Sequence, residues 1–145
     1  MKNILSLYRY AEKKNIEVAT FPLPETESMS IQAEDGVCYI ALDDKKMENE
    51  ASERVHLSHE LGHCVTGSFY NRYAMLDIRQ RHENRADKWA IRKLIPVDKL
   101  DMAVADGHTD IWDLADYFGV TEDFMKKAVC YYTQGNVAAE LYFWL

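Results

Sequence analysis

His59, Glu60 and His63 stand in the order His-Glu-x-x-His, within the run His59-Glu60-Leu61-Gly62-His63. Histidines four residues apart on a helix lie one above the other on a single face, so both imidazoles can reach one metal ion. The glutamate between them projects beside that face, where it can take a proton from a water that the metal activates. The chemistry open to such a constellation is metal-assisted hydrolysis. A hydrolytic zinc site takes three protein ligands and keeps its fourth position open, so a third ligand must come from elsewhere in the chain.

Spacing tests two classes of third ligand. The extended pattern HExxHxxGxxH needs a glycine at 66 and a histidine at 69; the chain has Thr66 and Phe69, which excludes it. The other class takes a glutamate from a second helix. Glu83 opens the run Glu83-Asn84-Arg85-Ala86-Asp87-Lys88-Trp89-Ala90, and nineteen residues, 64 to 82, separate it from His63. Asp87 lies four residues on, on the helical face of Glu83, placed to accept a hydrogen bond from the outer nitrogen of a ligating histidine. Glu83 has a competing reading as a solvated charge beside Arg79 and Arg81, in which Asp77 or Asp87 would substitute as ligand. His56 shares the histidine face, but a helical turn of displacement puts it too far for a metal bond of about 2 Å; a polar contact near the site suits it better. His82, Tyr70 and Tyr73 compete as the donor that steadies a tetrahedral oxyanion, and the sequence does not choose among them.

His59–His63 followed by Glu83-x-x-Ala86-Asp87-x-Trp89-Ala90 and then Leu94-Ile95-Pro96 resembles the ImmA/IrrE family of small HExxH metallo-endopeptidases, whose third ligand is a thermolysin-like glutamate. The resemblance covers most of the chain. Trp89 stands for the family's usual Phe and Ile95 for its second Leu, and neither change touches a proposed ligand. By position, the resemblance implies zinc on His59, His63 and Glu83, Glu60 as the catalytic general base, and Asp87 in support. It implies an intracellular endopeptidase with a narrow protein substrate, a helix-turn-helix repressor of phage or mobile-element type. It also implies a substrate lying extended along an edge strand, by β-augmentation; residues 37–42, which lead toward the metal helix, are the candidate edge.

The elements that must hold these residues are legible in outline. An apolar face of Ile4, Leu5, Leu7, Tyr8 and Ala11 marks a helix ending near Asn15. Residues 16–21 read as a strand stopped by Pro22 and Pro24. Residues 30–33 and 37–42 flank Glu34-Asp35-Gly36, a hairpin signal. Asp43 or Asp44 is positioned to cap a helix from about 47 to 66 that carries the HExxH motif and closes at Gly67. A Tyr-rich connection leads to a second metal helix at 79–95, in which small Ala86 and Ala90 permit a close approach to its neighbour. Shorter helices follow at 96–105, 110–118 and 121–134, with His108 in a turn, and the apolar residues 137–145 are placed to dock on the body. The expectation is an α+β, zincin-like domain spanning 1–145. Residues 1–95 would form a short antiparallel sheet and two metal-site helices, and 96–145 a helical part.

Bulk properties narrow the function. A chain of 145 residues with 12% aromatics can build a core without staples. Three cysteines, Cys38, Cys64 and Cys130, make an odd number at unrelated spacings, which suggests no disulfide framework and fits a reducing cytoplasm; Cys64 then reads as a small buried apolar residue. No signal peptide or membrane-length apolar run is evident. A net charge of −7 argues against direct nucleic-acid binding. The 110–134 pair looks like a helix-turn-helix, which keeps a DNA-binding regulator as a rival, but its second helix opens with Glu122 and Asp123, which repel phosphate. A further rival is a metal-binding sensor or toxin–antitoxin component that recognises a partner without robust turnover.

Overall fold

The Asn3 side chain accepts the Leu5 N–H and starts α1 (Ile4–Lys13), whose buried Leu7 and Ala11 face the core. The computed structural model describes residues 3–71 and 73–139. Asn15, with φ 57°, turns the chain out of α1 into β1 (Glu17–Thr20). β2 (Ser28–Gln32) and β3 (Cys38–Leu42) form the expected antiparallel hairpin. Ala33 N–H donates to the Val37 carbonyl at 2.9 Å, and Gly36 supplies the positive φ of 85° that the turn requires.

The α+β class is as the sequence indicates, but the sheet is mixed, not wholly antiparallel. Its order is β1-β3-β2, and β1 runs parallel to β3 with Glu17 opposite Tyr39 and Thr20 opposite Leu42. Residues 21–27 carry the chain past the end of β3 to the far side. That crossing is pinned by Asp43, whose Oδ2 accepts the Leu23 N–H at 3.0 Å, and by the Lys46 ammonium on the Leu23 carbonyl. The expectation that residues 37–42 form the substrate edge is therefore overturned: β3 is the central strand, paired on both sides, and β2 is an edge.

Alternation along β3 buries Cys38, Ile40 and Leu42 and exposes Tyr39. The buried row rests with α2 (Glu50–Thr66) in one core that includes the fully buried Leu57 and Leu61. Asn49, not Asp43 or Asp44, caps α2, accepting Ser52 N–H at 2.8 Å; Asp43 instead caps a short 3-10 turn at Asp44–Lys46. Gly67, left-handed at φ 66°, ends the helix. α3 (Leu76–Leu94) packs closely on α2: a Cβ on Gly62 would lie 2.6 Å from the Ala86 carbonyl oxygen, a separation only glycine permits. α4 (Val97–Ala105), α5 (Ile111–Phe118) and α6 (Glu122–Gln134) complete the helical part. Val137 and Ala139 are buried as the apolar tail suggests; residues 140–145 lie outside the described residues. Among the described residues no helix is long and apolar enough to cross a membrane.

Cys38 and Cys64 are joined in a disulfide, with their Cα atoms 5.9 Å apart. This corrects the reading of Cys64 as a plain buried residue and removes the cysteine argument for a reducing compartment. Cys38 faces inward from β3, and Cys64 follows His63 on the helix beneath. Their pairing is a product of sheet-on-helix packing that no local spacing announces.

Candidate metal centre

The α2 period places His59 and His63 on one face, and the Gly62–Ala86 contact brings α3 close enough for Glu83 to join them. Glu83 Oε2 lies 2.8 Å from His59 Nε2 and 3.0 Å from His63 Nε2, and the two Nε2 atoms are 3.2 Å apart. Ligands bound tetrahedrally at about 2.0–2.1 Å are separated from one another by about 3.3 Å. The three atoms thus form a triangle of nearly the size a small metal ion needs, and His59, His63 and Glu83 can together hold one.

The outer nitrogens are equally constrained. His59 Nδ1 donates to Asp87 Oδ1 at 2.7 Å, and His63 Nδ1 donates to the Ser68 carbonyl oxygen at 2.5 Å. With Nδ1 protonated and engaged, each Nε2 can present its lone pair to the shared point, the tautomer that metal ligation requires. Lys127, from α6, closes the chain with a 3.2 Å bond to Asp87 Oδ2. Burial disfavours a charged His59, but its hydrogen bonds to Asp87 and Glu83 outweigh that and push its pKa up to about 10. Burial likewise opposes charge on Glu83, yet the hydrogen bonds from both histidines hold its carboxyl far below the usual range. Asp87 is held down against burial by His59 and Lys127. The centre is an anionic cradle that stores a proton and suits a divalent cation.

Glu60 is 6% exposed and reaches the same cleft, its carboxylate oxygens each accepting a serine hydroxyl from β2 at 2.7 Å: Ser28 to Oε2 and Ser30 to Oε1. Ser28 also meets His56 Nδ1 at 3.1 Å, the polar contact anticipated for that histidine, and burial lowers the His56 pKa. The cleft, about 300 Å³, is lined by Thr26, Ser28, Ser30, Glu60, His63 and Tyr70 among others. Of the three oxyanion candidates, Tyr70 lines this cleft and donates to Glu83 Oε1 at 2.9 Å. His82 stacks on Tyr70 behind it with its Nδ1 buried, and Tyr73 is 76% exposed. His108 bonds Asp113 at 2.8 Å on α5. Sequence reasoning did not find Ser28, Ser30, Ser68 or Lys127. The first two are separated by one residue on a strand, a period-2 signal that was present but had no known target.

Two histidines on one helix and a glutamate from the next, with a carboxylate in the same cleft, is the donor arrangement of HExxH metallopeptidases. The profile of the IrrE N-terminal-like domain, Peptidase M78, matches residues 11–129, and the chain belongs to this peptidase family. No curated protein matched the chain.

Proposed function

We propose that the protein is a zinc-dependent endopeptidase acting on a specific regulatory protein, a repressor of the helix-turn-helix type. The observation that carries the reading is the convergence of His59 Nε2, His63 Nε2 and Glu83 Oε2 beside the Glu60 carboxylate in one open cleft. The nitrogen and oxygen donor set suits zinc, which when bound would lower the pKa of a water toward about 7 and polarise the scissile carbonyl.

The remaining steps belong to the chain's own residues. Glu60 accepts the proton released by the attacking water and returns it to the leaving amine. Ser28 and Ser30 hold that carboxylate in register with the cleft, and Asp87 and Ser68 fix the two imidazoles. Tyr70, already a hydrogen-bond donor at the mouth, serves the developing oxyanion by turning from Glu83. β2 lines the cleft and is an edge strand, so an extended peptide can add to it through backbone hydrogen bonds.

Glu60→Gln, mixed with the helix-turn-helix repressor encoded nearest to this protein, tests the proposal. The variant keeps its zinc, measured by elemental analysis, and loses cleavage by about a hundredfold or more. Undiminished cleavage by the variant would remove Glu60 from the mechanism. A zinc-loaded wild type that binds the repressor tightly and never cuts it would instead favour the sensor or toxin–antitoxin reading.

A further inference from the structure

Successive residues of β2 serve opposite faces of the sheet. Ser28 and Ser30 turn toward α2 and hold Glu60, while Met29 and Ile31 are 42% and 52% exposed on the other face. There they line, with Phe21, Tyr39, Ala19 and Ala41, a mainly apolar hollow of about 420 Å³. Met29 also lines the cleft of the candidate metal site, so the two hollows meet around the free edge of β2.

That edge is open to a further strand. Asp43 N–H donates to the Glu27 carbonyl and Ala33 N–H to the Val37 carbonyl, each at 2.9 Å, bracketing the pairs Met29–Ala41 and Ile31–Tyr39. Hydrogen-bonded pairs alternate along an antiparallel ladder, so the backbone groups of Met29 and Ile31 face β3 and those of Ser30 and Gln32 point outward. The Ser28 carbonyl, on the same outward side, accepts the Thr26 hydroxyl at 3.1 Å. Edge strands are ordinarily guarded by a charge, a proline or a bulge; the sequence of β2, Ser-Met-Ser-Ile-Gln, has neither charge nor proline.

We propose that the outer apolar face is a specificity surface: it selects an extended substrate segment with large apolar residues two apart, the residue between them facing the candidate metal site. Side chains directly opposite one another in a ladder lie on the same face. A peptide residue paired with Ser30 therefore points into the cleft beside Glu60, and its two neighbours fall on the outer face against Met29 and Ile31. The inference rests on the peptidase reading for its occupant. It places the cut in an extended stretch of the substrate, since a helix cannot alternate in this way.

Fluorescence anisotropy with two labelled peptides of one composition tests it on the zinc-loaded Glu60→Gln protein, which holds them uncut. Lys-Thr-Ile-Ser-Phe-Thr-Lys carries its apolar pair two apart; Lys-Thr-Ile-Phe-Ser-Thr-Lys carries them side by side, on opposite faces. The first binds about tenfold more tightly, the effect of burying one more large side chain. Ile31→Ser, at an exposed position, brings the two to parity with zinc content and melting temperature unchanged. N-methylation of Ile, Ser and Phe in the first peptide abolishes its binding. No binding by the first peptide, equal binding of the two, or a preference that survives Ile31→Ser would each overturn the proposal. Undiminished binding of the N-methylated peptide would also overturn it, because the face would then be covered without strand addition. So would a dimer in sedimentation that Ile31→Ser dissolves, which puts a second copy on the face. Cleavage is read separately in the wild type. A repressor cut without the binding preference sinks this inference alone, whereas the preference without any cleavage upholds the surface and removes the peptidase reading.

Discussion

On the proposed reading, His59 is the residue at which a proton and a metal would compete. In the metal-free protein its pKa is raised to about 10 from an ordinary 6.5 by hydrogen bonds to Asp87 and Glu83, which outweigh its burial. The stabilisation that the imidazolium gives the metal-free fold is therefore complete below about pH 6.5 and is lost as pH rises toward 10. Metal must displace that proton, so affinity moves the other way: zinc binding strengthens by about tenfold per pH unit across this window, with one proton released per zinc. Calorimetry at neutral pH in two buffers of different ionisation enthalpy counts the proton; none released would contradict the assignment of His59 as a ligand. At this scale the sequence was informative where the helical period does the placing. His59, Glu60 and His63 share one helix, and Glu83 and Asp87 another, so spacing alone aligns each set. Ser68 and the Ser28–Ser30 pair arrive from a loop and a strand, and their contact with the site exists only once the tertiary structure brings them in.

The two helices of the candidate metal site meet through a backbone contact. Ala86 and Ala90 suggested a close approach, but the limiting residue is Gly62, inside the motif itself, whose missing side chain leaves room for the Ala86 carbonyl. Ala86 is three residues from Glu83, so whatever separates the helices there also pulls the glutamate from the histidines. Gly62→Ala should cost about 1–3 kcal/mol of stability through overpacking, despite alanine's better helix propensity, and should weaken zinc binding in parallel. Urea denaturation with and without zinc measures both; a variant as stable and as tightly metallated as the wild type would show that the helices are free to slide. Helix positions were readable from apolar periodicity and end signals such as Gly67 and Gly119. The cap of α2 was not, because Asp43, Asp44 and Asn49 are all good capping residues and only the intervening 3-10 turn decides among them. Strand order was hidden for a related reason: nothing local in residues 17–20 says which strand they will pair with, or in which direction.

For the whole molecule, the questions are what partner it accepts and what ties its halves together. The α5–α6 pair has helix-turn-helix proportions, but α6 opens with Glu122 and Asp123 behind a Thr121 cap, complementing the helix dipole and opposing a phosphate backbone. With a net charge of −7, the chain's long-range field also repels DNA. The sheet is tied to the metal helix by the Cys38–Cys64 bridge, which closes a separation of 26 residues and attaches to α2 one position after His63. An odd cysteine count concealed it, since the pairing depends on where β3 lands on α2. A loop of that size confers about 3.5 kcal/mol on the loop-closure account, a large share of a domain's total stability. The three candidate ligands, however, are brought together by α2 against α3, and neither the Gly62–Ala86 contact nor Asp87 involves the bridge. The Cys38→Ala/Cys64→Ala double variant should therefore unfold at lower denaturant while still binding one zinc per chain with nearly unchanged affinity. Reduced wild type should match it. A large fall in zinc affinity alongside the fall in stability would mean that the bridge, and not helix packing alone, holds His63 in place.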